Sequence, residues 1–121
     1  MAERRCQPSV SDLITHVVAL PVMCPVSSNP AEGSVLRLSY SPVSGLVLDV
    51  DDLAEEVLSY IGGHASGVRD METTIQSLCA FAAHKIKARV VAEAELVILT
   101  SPSTDQRLIM RCSRDPEDWN Q

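Results

Sequence analysis

The sequence predicts an α+β fold: a four-stranded antiparallel sheet with two helices on one face, in the order strand, strand, helix, helix, strand, strand. Three observations carry this. Residues 13–23 and 34–40 have the β-branched content and alternation of strands. Residues 49–86 hold two apolar stripes at helical spacing, separated by glycines, and 89–112 returns to strand patterning. At 121 residues the chain has the size of one domain. Its expected layout is a flexible N-terminus (1–12), a single folded domain (13–112) and a loose polar tail (113–121).

The first strand, "LITHVVALPVM" (13–23), is interrupted near Pro21, which has no N–H to donate. In the second, "SVLRLSY" (34–40), Leu36, Leu38 and Tyr40 fall on one face and Val35, Arg37 and Ser39 on the other. The run "LVLDV" (46–50) reads either as a short strand or as the lead into a helix. Asp49 to Tyr60 has Leu53, Val57 and Ile61 spaced by four, with acids crowding the first turn, where the helix dipole favours them. "GGHASG" (62–67) stops that helix. A second helix is expected from about Asp70, its candidate N-cap, to Ile86, with Met71, Ile75, Leu78, Cys79, Ala82 and Ile86 as its buried stripe. "RVVAEAELVILT" (89–100) sets Glu93 and Glu95 on the face of Val91 and Val97, "SPSTDQ" turns, and "RLIMRC" (107–112) pairs back. Laying both helices on one sheet face covers every apolar surface.

Composition narrows the function classes. Hydrophobic residues make up 45%, but one Trp, two Tyr and one Phe are the only aromatics. A core this poor in aromatic bulk favours a homo-oligomer. Ten Lys and Arg against sixteen Asp and Glu give a net charge of −6, which argues against a dedicated nucleic-acid binder. The basic clusters Lys85–Lys87–Arg89 and Arg107–Arg111–Arg114 read as a solvated helix end and strand rim. Cys6, Cys24, Cys79 and Cys112 form no C-x-x-C pair, and His16, His64 and His84 have no ligand spacing, so no metal site is assigned. No apolar run approaches the roughly 20 residues of a membrane span, and no signal-peptide pattern opens the chain. Four free thiols fit a reducing cytoplasm.

One stretch invites chemistry. In "MCPVSSNPAEGSVLRLSY" (23–40), Cys24 ends an apolar run and enters a turn-rich segment that offers Ser27, Ser28, Asn29 and backbone N–H groups. A cysteine beside Val and Met is ordinarily an inert small hydrophobe, whereas a polar junction can sustain a thiolate. Glu72 stands at the start of the second helix, where an acid also suits the dipole.

The quoted stretch resembles the nitrile reductases of queuosine biosynthesis, the 7-cyano-7-deazaguanine reductase (QueF) group. Their signature is Cys-Pro, a Thr or Ser two residues on, Gln-Pro-Asp, and a strand ending in Tyr. Cys24-Pro25, Ser27, Asn29-Pro30, Val35, Leu38 and Tyr40 follow that spacing without a gap. The resemblance implies a tunnelling fold, whose unit is ββααββ and whose protomers close their sheets into a β-barrel with sites between subunits. It implies that Cys24 is the nucleophile that forms a thioimide with the nitrile of a 7-deazaguanine. It further implies that Glu72 anchors the base and that Ser27 and Asn29 line the substrate.

Three departures accompany it. Ala31 replaces the family's aspartate, leaving Glu32 and His64 as candidate acid/base groups, and Met71 stands where a histidine usually precedes the glutamate. The Glu-Ser-Lys-type run associated with NADPH is replaced by the acidic "VLDVDDLAEEVL" (47–58), which would repel a 2′-phosphate. No cofactor is therefore assigned, and NADPH is not expected. The expected function is 7-deazaguanine modification, as in queuosine or archaeosine biosynthesis, on a free base in preference to one within a nucleic acid. The alternatives are conversion of another 7-substituent, such as a carboxylate, and a non-catalytic purine- or pterin-binding module.

Overall fold

The computed structural model describes residues 12–62, 68–100 and 104–119. Two strands, β1 (Ile14–Ala19) and β2 (Ala31–Tyr40), precede two helices, α1 (Val50–Leu58) and α2 (Val68–Ile86). The strands β3 (Val90–Thr100) and β4 (Thr104–Arg114) and a short 3-10 turn at Pro116–Asp118 complete the chain. The sheet runs β1-β2-β3-β4, antiparallel throughout. The predicted α+β order and antiparallel sheet are therefore present.

The alternation read from the sequence decides which face is buried. Leu36, Leu38 and Tyr40 of β2 and Val90, Ala92, Ala94 and Leu96 of β3 point into one core with Leu53 and Val57 of α1. Met71, Ile75, Leu78, Cys79, Ala82 and Ile86 of α2 fill the same core. α2 lies over β3 and β4, while Leu53 and Ala54 of α1 flank β1. Among the described residues no helix lies against the opposite sheet face. There Arg37, Glu93 and Arg111 stand in one cross-strand row. Arg111 bonds Glu93 at 2.7 Å and Arg107 bonds Glu95 at 2.9 Å, between exposed Val17 and Ile109. With Arg89 paired to Asp115 at 3.2 Å, three of the basic side chains face carboxylates within the chain.

Several boundaries differ from expectation. Residues 46–49 form no strand: the Leu48 N–H is drawn to the buried Tyr40 hydroxyl at 2.8 Å, and the Asp49 carboxylate caps α1 by accepting from Asp51 and Asp52. α1 ends at Leu58, so Ile61 lies beyond it and is exposed. α2 begins at Val68, which makes Asp70 a first-turn acid instead of the N-cap. β2 begins at Ala31, three residues early, with a bulge between Ala31 and Val35 where Gly33 adopts φ 97°. Ser34 fills the bulge, its hydroxyl donating to the Ala31 carbonyl and accepting from the Val97 N–H.

The tail is not loose from Ser113. β4 continues to Arg114, and Trp119 packs edge-on against Phe81 of α2 at 5.5 Å, because an indole there covers apolar helix surface. Residues 1–11, 63–67 (with His64) and 101–103 lie outside the described residues, as do 120–121. No helix among the described residues is long and apolar enough to cross a membrane.

Candidate functional site

After β1, the Leu20 N–H still reaches the Ser34 carbonyl at 2.9 Å, and the chain then folds back on itself. The N–H groups of Met23 and Cys24 both donate to the Asn29 carbonyl, at 3.3 and 3.0 Å, and the Ser28 N–H donates to the Cys24 carbonyl at 2.8 Å. Cys24 and Asn29 thus form an isolated antiparallel bridge that closes the loop 25–28. Ser28 takes a left-handed φ of 62° to make that closure. The loop is tied to the end of α1 by the Gly62 N–H donating to the Met23 carbonyl at 2.8 Å.

Within this frame the Cys24 sulfur accepts the Ser27 N–H at 3.4 Å. The Ser27 side chain and N–H stabilise a negative sulfur and hold the Cys24 thiol below its ordinary range, against the opposing effect of burial. Cys24 is only 6% exposed, so the sulfur sits under the loop with polar hydrogens directed at it. Among the described sequence candidates, the fold brings Ser27 to the Cys24 sulfur and pairs the Asn29 backbone with that of Cys24, while Glu32 and Glu72 are not in contact with the thiol.

Asn29 has a structural part in this loop. Its side chain is buried and both ends of its amide are engaged: Oδ1 accepts from the Leu99 N–H at 2.9 Å, and Nδ2 donates to the Leu99 carbonyl at 3.4 Å. The amide copies the backbone pairing of a strand and fastens the Cys24 loop to the end of β3. Glu32 is exposed on β2, whereas its neighbour Ala31 is buried opposite Val97.

Glu72 occupies a different place. It is exposed on the first turns of α2, above a groove of about 230 Å³ between α2 and β4. Ile75, Gln76, Ile109, Met110, Arg111 and Cys112 line the rest of that groove. Typical ligand pockets hold roughly 300–1,000 Å³. The groove is smaller, opens along the free side of β4, and does not include Cys24.

Sequence reading missed Cys112. Strand alternation with Leu108 and Met110 leaves it half-buried, where it lines the groove beside Glu72. That placement depends on α2 crossing over β4.

No family model, curated protein or solved structure matches this chain. The residues above therefore carry the functional reading by themselves.

Two outcomes follow from this geometry. Asn29→Ala removes both part-buried bonds to Leu99, each worth about 0.5–1.5 kcal/mol, so urea unfolding should register a loss of about 1–3 kcal/mol. A residue that merely touched substrate would leave that midpoint unchanged. For Cys24, the pH midpoint of iodoacetamide alkylation, followed by peptide mass spectrometry, should lie below that of a free cysteine and rise in Ser27→Ala.

Proposed function

We propose that the chain is a tunnelling-fold protein that closes into a homo-oligomeric barrel and acts on the 7-substituent of a 7-deazaguanine. In this reading Cys24 of one protomer and Glu72 of the next complete one site. The observation that supports it best is where the two residues stand relative to the unpaired strands. Cys24 follows β1, Glu72 overhangs β4, and among the described residues β1 and β4 are the two strands bonded on one side only. A sheet of four alternating strands joined head to tail keeps its alternation, since β4 meets the next β1 antiparallel. An apolar groove of about 480 Å³ beside β1, walled by Val18, Val50, Leu53 and Ala54, offers a seat for a neighbour on that edge.

The chemistry divides between the two residues. A carboxylate at Glu72 accepts two N–H groups from an aminopyrimidinone ring. The Cys24 thiolate adds to a nitrile carbon, forming a C–S bond and moving an electron pair to nitrogen, which takes up a proton to give the thioimide. Ala31 has no proton to give, so Glu32 or His64 is left as the donor. The acids Asp51 and Asp52 in the first turn of α1 disfavour a 2′-phosphate, so the reading includes no NADPH. Reactive thiols suit a reducing cytoplasm.

A second reading, a purine- or pterin-binding module without catalysis, draws on the burial of Ala31 and of Cys24. It keeps Glu72 and dispenses with Cys24.

Incubation with 7-cyano-7-deazaguanine should produce a near-ultraviolet thioimide band and an adduct mass on Cys24, both lost in Cys24→Ala. Light scattering at micromolar concentration should return an oligomer. Base binding that survives Cys24→Ala but not Glu72→Ala, with no adduct, would establish the binding module instead. A monomer that binds no base contradicts both readings.

A further inference from the structure

One buried hydroxyl joins β1 to the start of α1. His16, half-buried on β1, places Nε2 3.0 Å from the Tyr40 hydroxyl, with the two rings stacked at 5.6 Å between centroids. The same oxygen, on the buried Tyr40, accepts the Leu48 N–H at 2.8 Å. Leu48 immediately precedes Asp49, the N-cap of α1. His16 also lines the groove of about 480 Å³ between β1 and α1, so protons from solvent reach its ring.

We infer that His16, Tyr40 and Leu48 form a pH-sensitive latch, in which neutral His16 takes the Tyr40 hydroxyl proton and so fixes the Tyr40 oxygen on the Leu48 N–H. Protonation of His16 opens the latch and frees residues 46–49 and the first turn of α1 from β1. Every bond used lies within one chain, so the latch needs no neighbouring protomer, no bound base and no reactive Cys24.

What each group can donate fixes the direction of the bonds. A backbone N–H only donates, so Leu48 occupies a lone pair of the Tyr40 oxygen. The hydroxyl proton is left for His16, whose Nε2 is therefore bare and whose ring proton stands on Nδ1. A protonated imidazole donates from both nitrogens. It turns an N–H on the Tyr40 oxygen, competes there with Leu48, and leaves the buried hydroxyl proton without an acceptor.

The surroundings offer a cation no compensation. β2 sets Leu38 opposite His16, and Ile14 and Val18 share its face of β1. From α1 the groove is lined by Val50, Leu53 and Ala54, and by none of the acids Asp51, Asp52, Glu55 and Glu56. The Asp49 carboxylate is engaged by the Asp51 and Asp52 N–H groups, and Asp12 precedes β1 by two residues. Among the described residues no carboxylate pairs with His16. Burial accordingly holds His16 below the ordinary histidine range. With the folded value lowered, the latch is closed above about pH 6.5 and is lost as pH falls through the lower folded midpoint. The released stretch is bounded on both sides. Upstream the Ser44 hydroxyl donates to the Ile86 carbonyl, and beyond α1 the Gly62 N–H holds the Met23 carbonyl.

The test is an NMR titration of the full chain. At pH 7.5 the nitrogen shifts of the His16 ring should identify the Nδ1–H tautomer, and the ring should titrate with a midpoint below about 6.5. Through that midpoint the hydrogen-exchange protection factor of the Leu48 amide should fall roughly tenfold, while those of Leu36 and Ala94 in the central strands hold. Tyr40→Phe should raise the His16 midpoint and lower Leu48 protection even at pH 7.5. His16→Gln, which cannot titrate, should abolish the pH dependence of Leu48 protection. An Nε2–H tautomer at pH 7.5, a midpoint at or above about 6.5, or Leu48 protection unchanged across the titration overturns the inference. Loss of Leu48 protection on acidification that persists in His16→Gln does the same.

Discussion

Unpaired backbone along β1 and β4 is the constraint from which the site follows. A sheet edge presents a row of N–H and C=O groups that are satisfied only by water or by another strand. Among the described residues no helix covers either edge or the outer face, because both helices lie over the inner face. The residues with chemical potential gather at those rims: the Cys24 loop continues β1, and Glu72 with Cys112 borders β4. A site built at two opposite rims is two half-sites until the rims meet, which is why the proposed function and the proposed ring are a single claim.

The Cys24 loop is held by a set of bonds that leaves one sulfur with polar company. Pairing between Cys24 and Asn29 closes the loop, the Asn29 amide fastens it to Leu99, and the Ser27 N–H then faces the sulfur. Without the Asn29 amide the loop would lose both of these bonds to β3, so Asn29 acts on Cys24 through position. The same loop resolves the tension between an apolar setting and a reactive thiol: the sulfur is buried by its own turn, and that turn supplies the hydrogens that favour its anion.

Much of the fold was legible in the residues because period 2 and period 3.6 are local signals. Leu36, Leu38 and Tyr40, and the stripe from Met71 to Ile86, are buried as their spacing required. What periodicity does not encode is which element crosses which. Cys79 read correctly as part of the buried stripe of α2, whereas the place of Cys112 in the groove beside Glu72 depends on α2 lying over β4. The structural part of Asn29 was not legible for a related reason: an amide that substitutes for a strand's backbone looks, in sequence, like any polar loop residue. Trp119 was lost in a polar tail because a single aromatic has no period, although it finds Phe81. The spacing from Cys24 to Tyr40 marked the loop. Its chemistry lies in hydrogen bonds that spacing does not specify.

The shared site is tested most directly by mixing two inactive variants. Cys24→Ala keeps Glu72, and Glu72→Ala keeps Cys24. If each site takes one residue from each of two protomers, neither variant alone forms an adduct with 7-cyano-7-deazaguanine. After subunit exchange the mixture should form one, on the Cys24 of the Glu72→Ala chain. An adduct that forms in Glu72→Ala by itself, or a mixture that stays unmodified while the unaltered protein reacts, contradicts the account.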